Sequence, residues 1–311
     1  MTQLASPAVT AAPPRSRRVA AISRQAFPWL MLAPALLLVG GFILYPAVNA
    51  FYLSFTSTNL LNVDAQQFVG FDNFTEMFAQ PEFYQSLRNS LVWTVGNVAF
   101  QLILGMLGAL VLNAKFKGRG FIRGLVLLPW ATPSVLVALM WLWILDPNLG
   151  ILNDILLAVG LLNEPMAWLA NEETALATLM AIDIWQGIPF FAVMILAALQ
   201  GVPADLLEAA KIDGAGPWQN YWQVVLPLIM PTVLITVMLR LIWTANYFDL
   251  ILVLTNGGPA NSTLTLPLNA YHTAYKGSDL GGAAALGVVQ ALLLVVLVVI
   301  YMRQVRKSEI A

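Results

Sequence analysis

The residues best suited to chemistry stand where polar groups are expensive. In the apolar run 174–200, Asp183, Gln186, Gly187 and Phe190 recur at i, i+3, i+4 and i+7, which places them on one stripe of a helix. An acid, an amide, a bare backbone and an aromatic plate suit a polyhydroxylated ligand: hydroxyls take bidentate hydrogen bonds, and the C–H faces of a sugar ring stack on aromatics. The run 224–255 adds Trp243, Thr244 and Tyr247 on a second stripe, with Asn246 beside it. Trp130 and Ser134, four apart in a segment that carries Pro129 and Pro133, supply a third wall.

Each ionisable residue in such a run needs a partner, because a charge in the membrane costs about 2.5 kcal/mol or more on insertion scales. Arg240 lies about halfway along its run, so Asp183 and Arg240 can form a buried pair that locks two spans together. Asp183 can instead contact ligand, and Arg240 can bind an anionic one. Asp249 falls near the end of its run and reads as interfacial. Trp93, Trp141 and Trp143 also fall near run ends and read as belt residues.

The whole chain explains why these groups are so few. Over 311 residues, 59% are hydrophobic and 10% charged, with a mean hydropathy of +0.76, too little polar surface to enclose a soluble core of this size. The fold class is an all-α integral membrane protein. There is no Cys and one His, His272, in an outer loop, which removes disulfides, thiolate metal sites, a His-based catalytic triad and an HExxH helix. No metal site is expected. The basic residues gather at run ends and form no face that could track phosphates, so nucleic acid is not a partner.

A span needs about 20 apolar residues. Six runs qualify, at 27–55, 89–114, 124–145, 174–200, 224–255 and 280–302, so both termini lie on one side. With the N-terminus cytoplasmic, twelve of the fifteen Lys and Arg residues fall inside: Arg15, Arg17, Arg18, Arg24, Lys115, Lys117, Arg119, Arg123, Lys211, Arg303, Arg306 and Lys307. The excess of cytoplasmic Lys and Arg fixes the orientation. Residues 1–26 read as a disordered cytoplasmic tail, 27–305 as the six-span domain and 306–311 as a short cytoplasmic tail. Pro129, Pro133, Pro189, Pro227 and Pro231 are expected to break the third, fourth and fifth spans, as suits helices that line a cavity.

The cytoplasmic loop 201–223 holds a charged segment, "GVPADLLEAAKIDGAGP". Pro203 suits a helix start, Asp205 and Glu208 favour its positive end, and Gly214, Gly216 and Pro217 stop it. Small side chains at Ala209 and Ala210 permit a partner to approach closely. A second amphipathic piece, 218–224, would lie at headgroup level.

This segment resembles the EAA loop of binding-protein-dependent ABC importer permeases, at Glu208, Ala209, Ala210, Asp213, Gly214 and Ala215. The likeness is greatest to the carbohydrate branch, the maltose and glycerol-3-phosphate type. "FVGFDNF" at 68–74, "LPWATPS" at 128–134, "WQGIPFF" at 185–191 and "LTNGGP" at 254–259 agree in order, and the resemblance covers about 27–305. It implies the type I importer permease core in a bacterial cytoplasmic membrane and a coupling role for Glu208, Ala209, Ala210, Asp213 and Gly214 on an ATPase subunit. It implies two copies of that subunit, a second permease subunit and an extracytoplasmic substrate-binding protein, with a carbohydrate as cargo and membrane lipid as surroundings. No cofactor is expected in this chain: it contains no Gly-Lys dipeptide and so no GxxxxGK[ST] loop, and ATP and Mg belong to the partner ATPase. The resemblance also places sugar contacts at Trp130, Ser134, Asp183, Gln186, Gly187, Phe190, Trp243, Thr244 and Tyr247.

Two other classes compete. A self-sufficient ion-coupled transporter would use Asp183 or Asp249 as its carrier, and a membrane enzyme would need a cluster of acids or histidines at an interface that this sequence lacks.

Overall fold

The computed structural model describes the backbone from 17 to 310 and the side chains over 28–64 and 66–303. It divides into two compact units, Met1–Tyr52 and Leu53–Ala311. Over its described residues the first is continuous helix, apolar from Pro28: α1 (Arg17–Val39) runs through a five-residue π turn, Gly40–Leu44, into α2 (Tyr45–Leu53). A helix already starts at Arg17, inside the segment expected to be a disordered tail. The rest of that tail lies outside the described residues.

In the second unit α3 (Asp72–Ala79) precedes the long α4 (Pro81–Asn113). Then come α5 (Arg119–Ala131), α6 (Ser134–Ile144), α7 (Ile151–Ala158) and α8 (Ala175–Gln200). The loop helices α9 (Ala204–Ile212) and α10 (Pro217–Asn220) lead through a π turn, Tyr221–Val225, into α11 (Leu226–Asn246). Three more, α12 (Asp249–Leu254), α13 (Leu266–Tyr275) and α14 (Leu280–Ile310), close the unit. Because α14 reaches Ile310, the short C-terminal tail expected at 306–311 is helical to that point.

Among the described residues five helical stretches are long and apolar enough to span, and the pair α5 and α6 makes a sixth although bent by 93°. That bend is the break expected of the prolines in the third span, and it falls at Pro133. Pro133 has no N–H to give and forces Thr132 out of the helical region, to φ −80° and ψ 130°. The other prolines do less than expected: Pro189 sits inside an unbroken α8 and Pro231 inside an unbroken α11.

The spine of this unit is α4 against α8, brought close by small residues. A Cβ on Gly105 would stand 2.3 Å from the Cβ of Phe191, and one on Gly96 2.3 Å from Met180 Cε. The apolar core on this spine splits in two. One cluster holds Trp93, Leu179, Ile182, Leu250 and Leu268, the other Val98, Phe190, Phe191, Ile195 and Val233. Along α8 the first ends at Ile182 and the second begins at Phe190, so Asp183, Gln186 and Gly187 occupy a polar layer between them. Trp93 is 1% exposed and donates its indole N–H to the carbonyl of Thr244 at 3.2 Å. It is a core residue, which corrects the belt reading; Trp141 also packs against this cluster, whereas Trp143 is 76% exposed.

The far end of α4 ties down the motif-bearing loops. Asn89 Nδ2 donates to the carbonyls of Asn261 and Leu264 at 3.0 and 2.9 Å, which holds the loop that follows "LTNGGP". Asn73 of "FVGFDNF" donates to the carbonyls of Ser54 and Thr56 at 2.8 and 2.9 Å. These two motifs serve the architecture.

Candidate functional site

A cavity of about 240 Å³ opens at the polar layer. The bend supplies one wall with Trp130, Thr132 and Ser134; α8 supplies Asp183 and Gln186; α11 and its end supply Arg240, Trp243 and Tyr247.

Its polar groups are held by one another. Gln186 donates Nε2–H to the carbonyl of Thr132 at 3.2 Å, a backbone acceptor freed by the bend. Its Oε1 accepts from the Tyr247 hydroxyl at 3.3 Å. Tyr247 can reach inward because α11 ends there in an extended residue, φ −86° and ψ 113°.

Behind them lies a three-helix ring. Arg240 Nη2 is 3.4 Å from Asp183 Oδ1. Gln101 of α4 donates to Asp183 Oδ2 at 3.0 Å and to the Asp183 carbonyl at 2.8 Å. The Oε1 atom of Gln101 accepts from Arg240 Nε at 2.7 Å. Asp183 is 1% exposed at its side chain and Arg240 12%, so the pair is buried. Breaking such a pair by removing one partner costs about 3–5 kcal/mol.

Aromatic rings make the opposite wall. Phe190, itself 8% exposed, lies between Trp130, stacked at 5.9 Å and 29°, and Trp243 at 5.2 Å. Both tryptophans are nearly half exposed. The cavity therefore joins flat apolar faces to a few fixed donors and acceptors, the composition of a small-molecule cleft.

Of the nine residues expected here from the sequence, six line the cavity: Trp130, Ser134, Asp183, Gln186, Trp243 and Tyr247. Phe190 backs the aromatic wall. Gly187 lies under Gln101 and Arg240, and Thr244 is buried against α4, where its carbonyl receives Trp93. Two participants went unnoticed in the sequence, Gln101 and the Thr132 carbonyl. Gln101 had a signal: it falls one helical turn from Asn97 and three from Asn89, a stripe of amides inside an otherwise apolar span.

The other expected site is the loop helix α9. Glu208, Ala209, Asp213 and Gly214 are exposed and Ala210 half-buried, and among the described residues Glu208 and Asp213 make no ion pair. Gly214 closes the helix in the left-handed region at φ 84°, with the Ala215 N–H bonded back to the Ala210 carbonyl at 2.9 Å. Ile212 is 86% exposed and Trp218 74%. Charge and bare apolar surface lie side by side, as a docking face requires.

Known proteins resemble this chain in sequence and fold. The trehalose/maltose transport system permease protein MalF of Thermococcus litoralis is 33% identical over 275 residues, 88% of this chain and 92% of that one. The sulfoquinovosyl glycerol transport system permease protein SmoG of Agrobacterium fabrum is 33% identical over 280 residues, 90% of each chain. A chain in the crystal structure of a bacterial ABC transporter that imports the acidic polysaccharide alginate superposes with a TM-score of 0.82 at 25% identity, over 94% of this chain and 99% of that one. The type I importer permease fold and a multi-pass place in the inner membrane follow. With residues 101–309 matching its family model, the chain belongs to the family of binding-protein-dependent transport system inner membrane components.

Proposed function

We propose that this chain forms the membrane path of an ATP-driven importer for a saccharide, coupled through α9 to a separate ATPase. The cavity carries the reading: half-exposed rings at Trp130 and Trp243, packed on either side of Phe190, share it with hydrogen-bonding groups at Gln186, Tyr247 and Arg240. Relatives named for trehalose/maltose and sulfoquinovosyl glycerol support it. Their cargoes and that of the alginate importer include both neutral and acidic saccharides, so kinship leaves the charge of the cargo open.

In this reading a binding protein delivers the saccharide to the outer face and a second permease subunit completes the path. Two ATP-binding subunits, which hold the ATP and Mg, dock below. Glu208 pairs with a basic residue of the ATPase, and Ile212 and Trp218 supply apolar contact. The chain itself catalyses nothing. An ion-coupled mechanism through Asp183 fits less well, since both of its carboxylate oxygens are occupied by donors in a buried ring.

The test is ATP hydrolysis and uptake by the complete transporter in proteoliposomes, across a panel of saccharides. Loaded binding protein should stimulate both, and Glu208→Lys should abolish the stimulation. Uptake driven by an ion gradient without ATP would overturn the proposal.

A further inference from the structure

We propose that Asp183 makes this pocket select uncharged saccharides, by engaging the guanidinium through which an anionic one would be held. The inference rests on the saccharide reading above and goes on to the charge of the cargo.

Both oxygens of Asp183 meet donors. Oδ1 faces Arg240 Nη2 at 3.4 Å and Oδ2 receives Gln101 Nε2 at 3.0 Å. Among the described residues no hydrogen bond leaves either oxygen toward an acceptor, as a protonated carboxyl would need. The pattern is that of a carboxylate. Gln101 binds both members of the pair, since its Oε1 accepts from Arg240 Nε at 2.7 Å. The ring is thus a fixed, internally neutral unit of acid, amide and guanidinium.

Arg240 is the sole cation among the residues that line the cavity. Two of its nitrogens are committed to the ring, and among the described residues Nη1 makes no hydrogen bond. That free edge can donate to a sugar hydroxyl and leave the ring intact. A carboxylate or sulfonate on the sugar would compete with Asp183 for the same guanidinium. Asp183 is 1% exposed, so solvent does little to screen its charge. Two anions would then share one cation in a medium of low dielectric, which disfavours the second. An acid without Asp183 would meet an unneutralised arginine, the best receptor a side chain offers for a carboxylate.

The inference is tested on the full chain in lipid nanodiscs, with maltose and maltobionate as probes of similar size, one of them carrying a carboxylate. Binding is read by saturation-transfer difference NMR. The native chain should prefer maltose by about tenfold or more, as like-charge juxtaposition predicts. Asp183→Asn should erase or reverse that preference. The double variant Asp183→Asn with Gln101→Glu moves the carboxylate to the other neighbour of Arg240 and should restore it.

A native chain that binds maltobionate as well as maltose would overturn the inference, and so would an unchanged ratio in Asp183→Asn. Should that variant fail to fold, the native ratio and that of the double variant still decide: both must favour maltose. Failure of the saccharide reading looks different. Neither probe would then bind the native chain, and both proposals would fall together.

Discussion

Gly187 lies directly beneath Arg240: a Cβ added there would stand 2.6 Å from the guanidinium Nη2 and 2.3 Å from Gln101 Nε2. Bare backbone at this one position lets a glutamine from α4 and an arginine from α11 meet over α8. Gly187→Ala should displace both and cost about 1–3 kcal/mol, the usual penalty for overpacking. Thermal unfolding in detergent would read the loss, and uptake should fall with it. Gly287→Ala, whose added Cβ meets nothing within 4 Å, should leave both unchanged.

Asn97 gives the opposite expectation. Its side-chain nitrogen and oxygen are both buried and, among the described residues, without a hydrogen-bond partner, and leaving a polar group so costs about 1–3 kcal/mol. Asn97→Leu should therefore raise the unfolding temperature. A drop of several degrees would show that the amide has a partner in the working protein.

The turn after α9 separates backbone demand from side-chain demand. Gly214 holds φ 84° with open space around it, and Gly216 has an ordinary φ of −68° with equally open space. Gly214→Ala should strain the turn by about 1–2 kcal/mol and lower ATP-coupled uptake while the spans keep their unfolding temperature. Gly216→Ala should be silent. Equal effects of the two would mean that the loop tolerates either geometry.

His272 carries the pH dependence of the outer face. Its Nε2 lies 2.9 Å from Asn256 Oδ1 and 3.0 Å from Lys276 Nζ. Burial first, and then the Lys276 ammonium, push the imidazole below its usual range. A depressed folded-state value means that the unfolded chain binds the proton more readily. The stability tied to the neutral ring is complete above about pH 6.5 and is lost as the pH falls through the folded-state value. Unfolding temperature followed from pH 7.5 to pH 5 should fall on the acid side, and His272→Gln should flatten the curve.

The loop helix α9 and most of the cavity were legible in the sequence because both are local signals. Pro203, Gly214 and the acids between them bound a helix by capping rules alone, and Asp183, Gln186 and Phe190 share a stripe that helical spacing makes visible. Of the partnerships between spans, the Asp183–Arg240 pair was legible, because each charge inside a span needs a partner, and the structure forms it; the amide that joins them was not. Gln101 belongs with Asp183 and Arg240 only once α4, α8 and α11 are packed, and the residues lie far apart along the chain. Trp93 misled for a related reason. Its distance from the end of a run suggested an interface, yet a side chain on the α8-facing side of α4 is covered whatever its depth. The prolines show the limit of local rules: Pro133 breaks its span because Thr132 is driven out of helix, while Pro189 and Pro231 are absorbed into intact helices.

The elbow at Thr132 also bears on how such a protein can change its cargo. Gln186 is anchored by the carbonyl of residue 132, and the Thr132 hydroxyl is turned away, bonded to the Leu128 carbonyl at 2.7 Å. One face of the cavity is therefore written in main chain. Any side chain at 132 that tolerates an extended conformation before proline keeps that contact, so descendants can retune the rings and the charge ring without having to reinvent the wall that orients them.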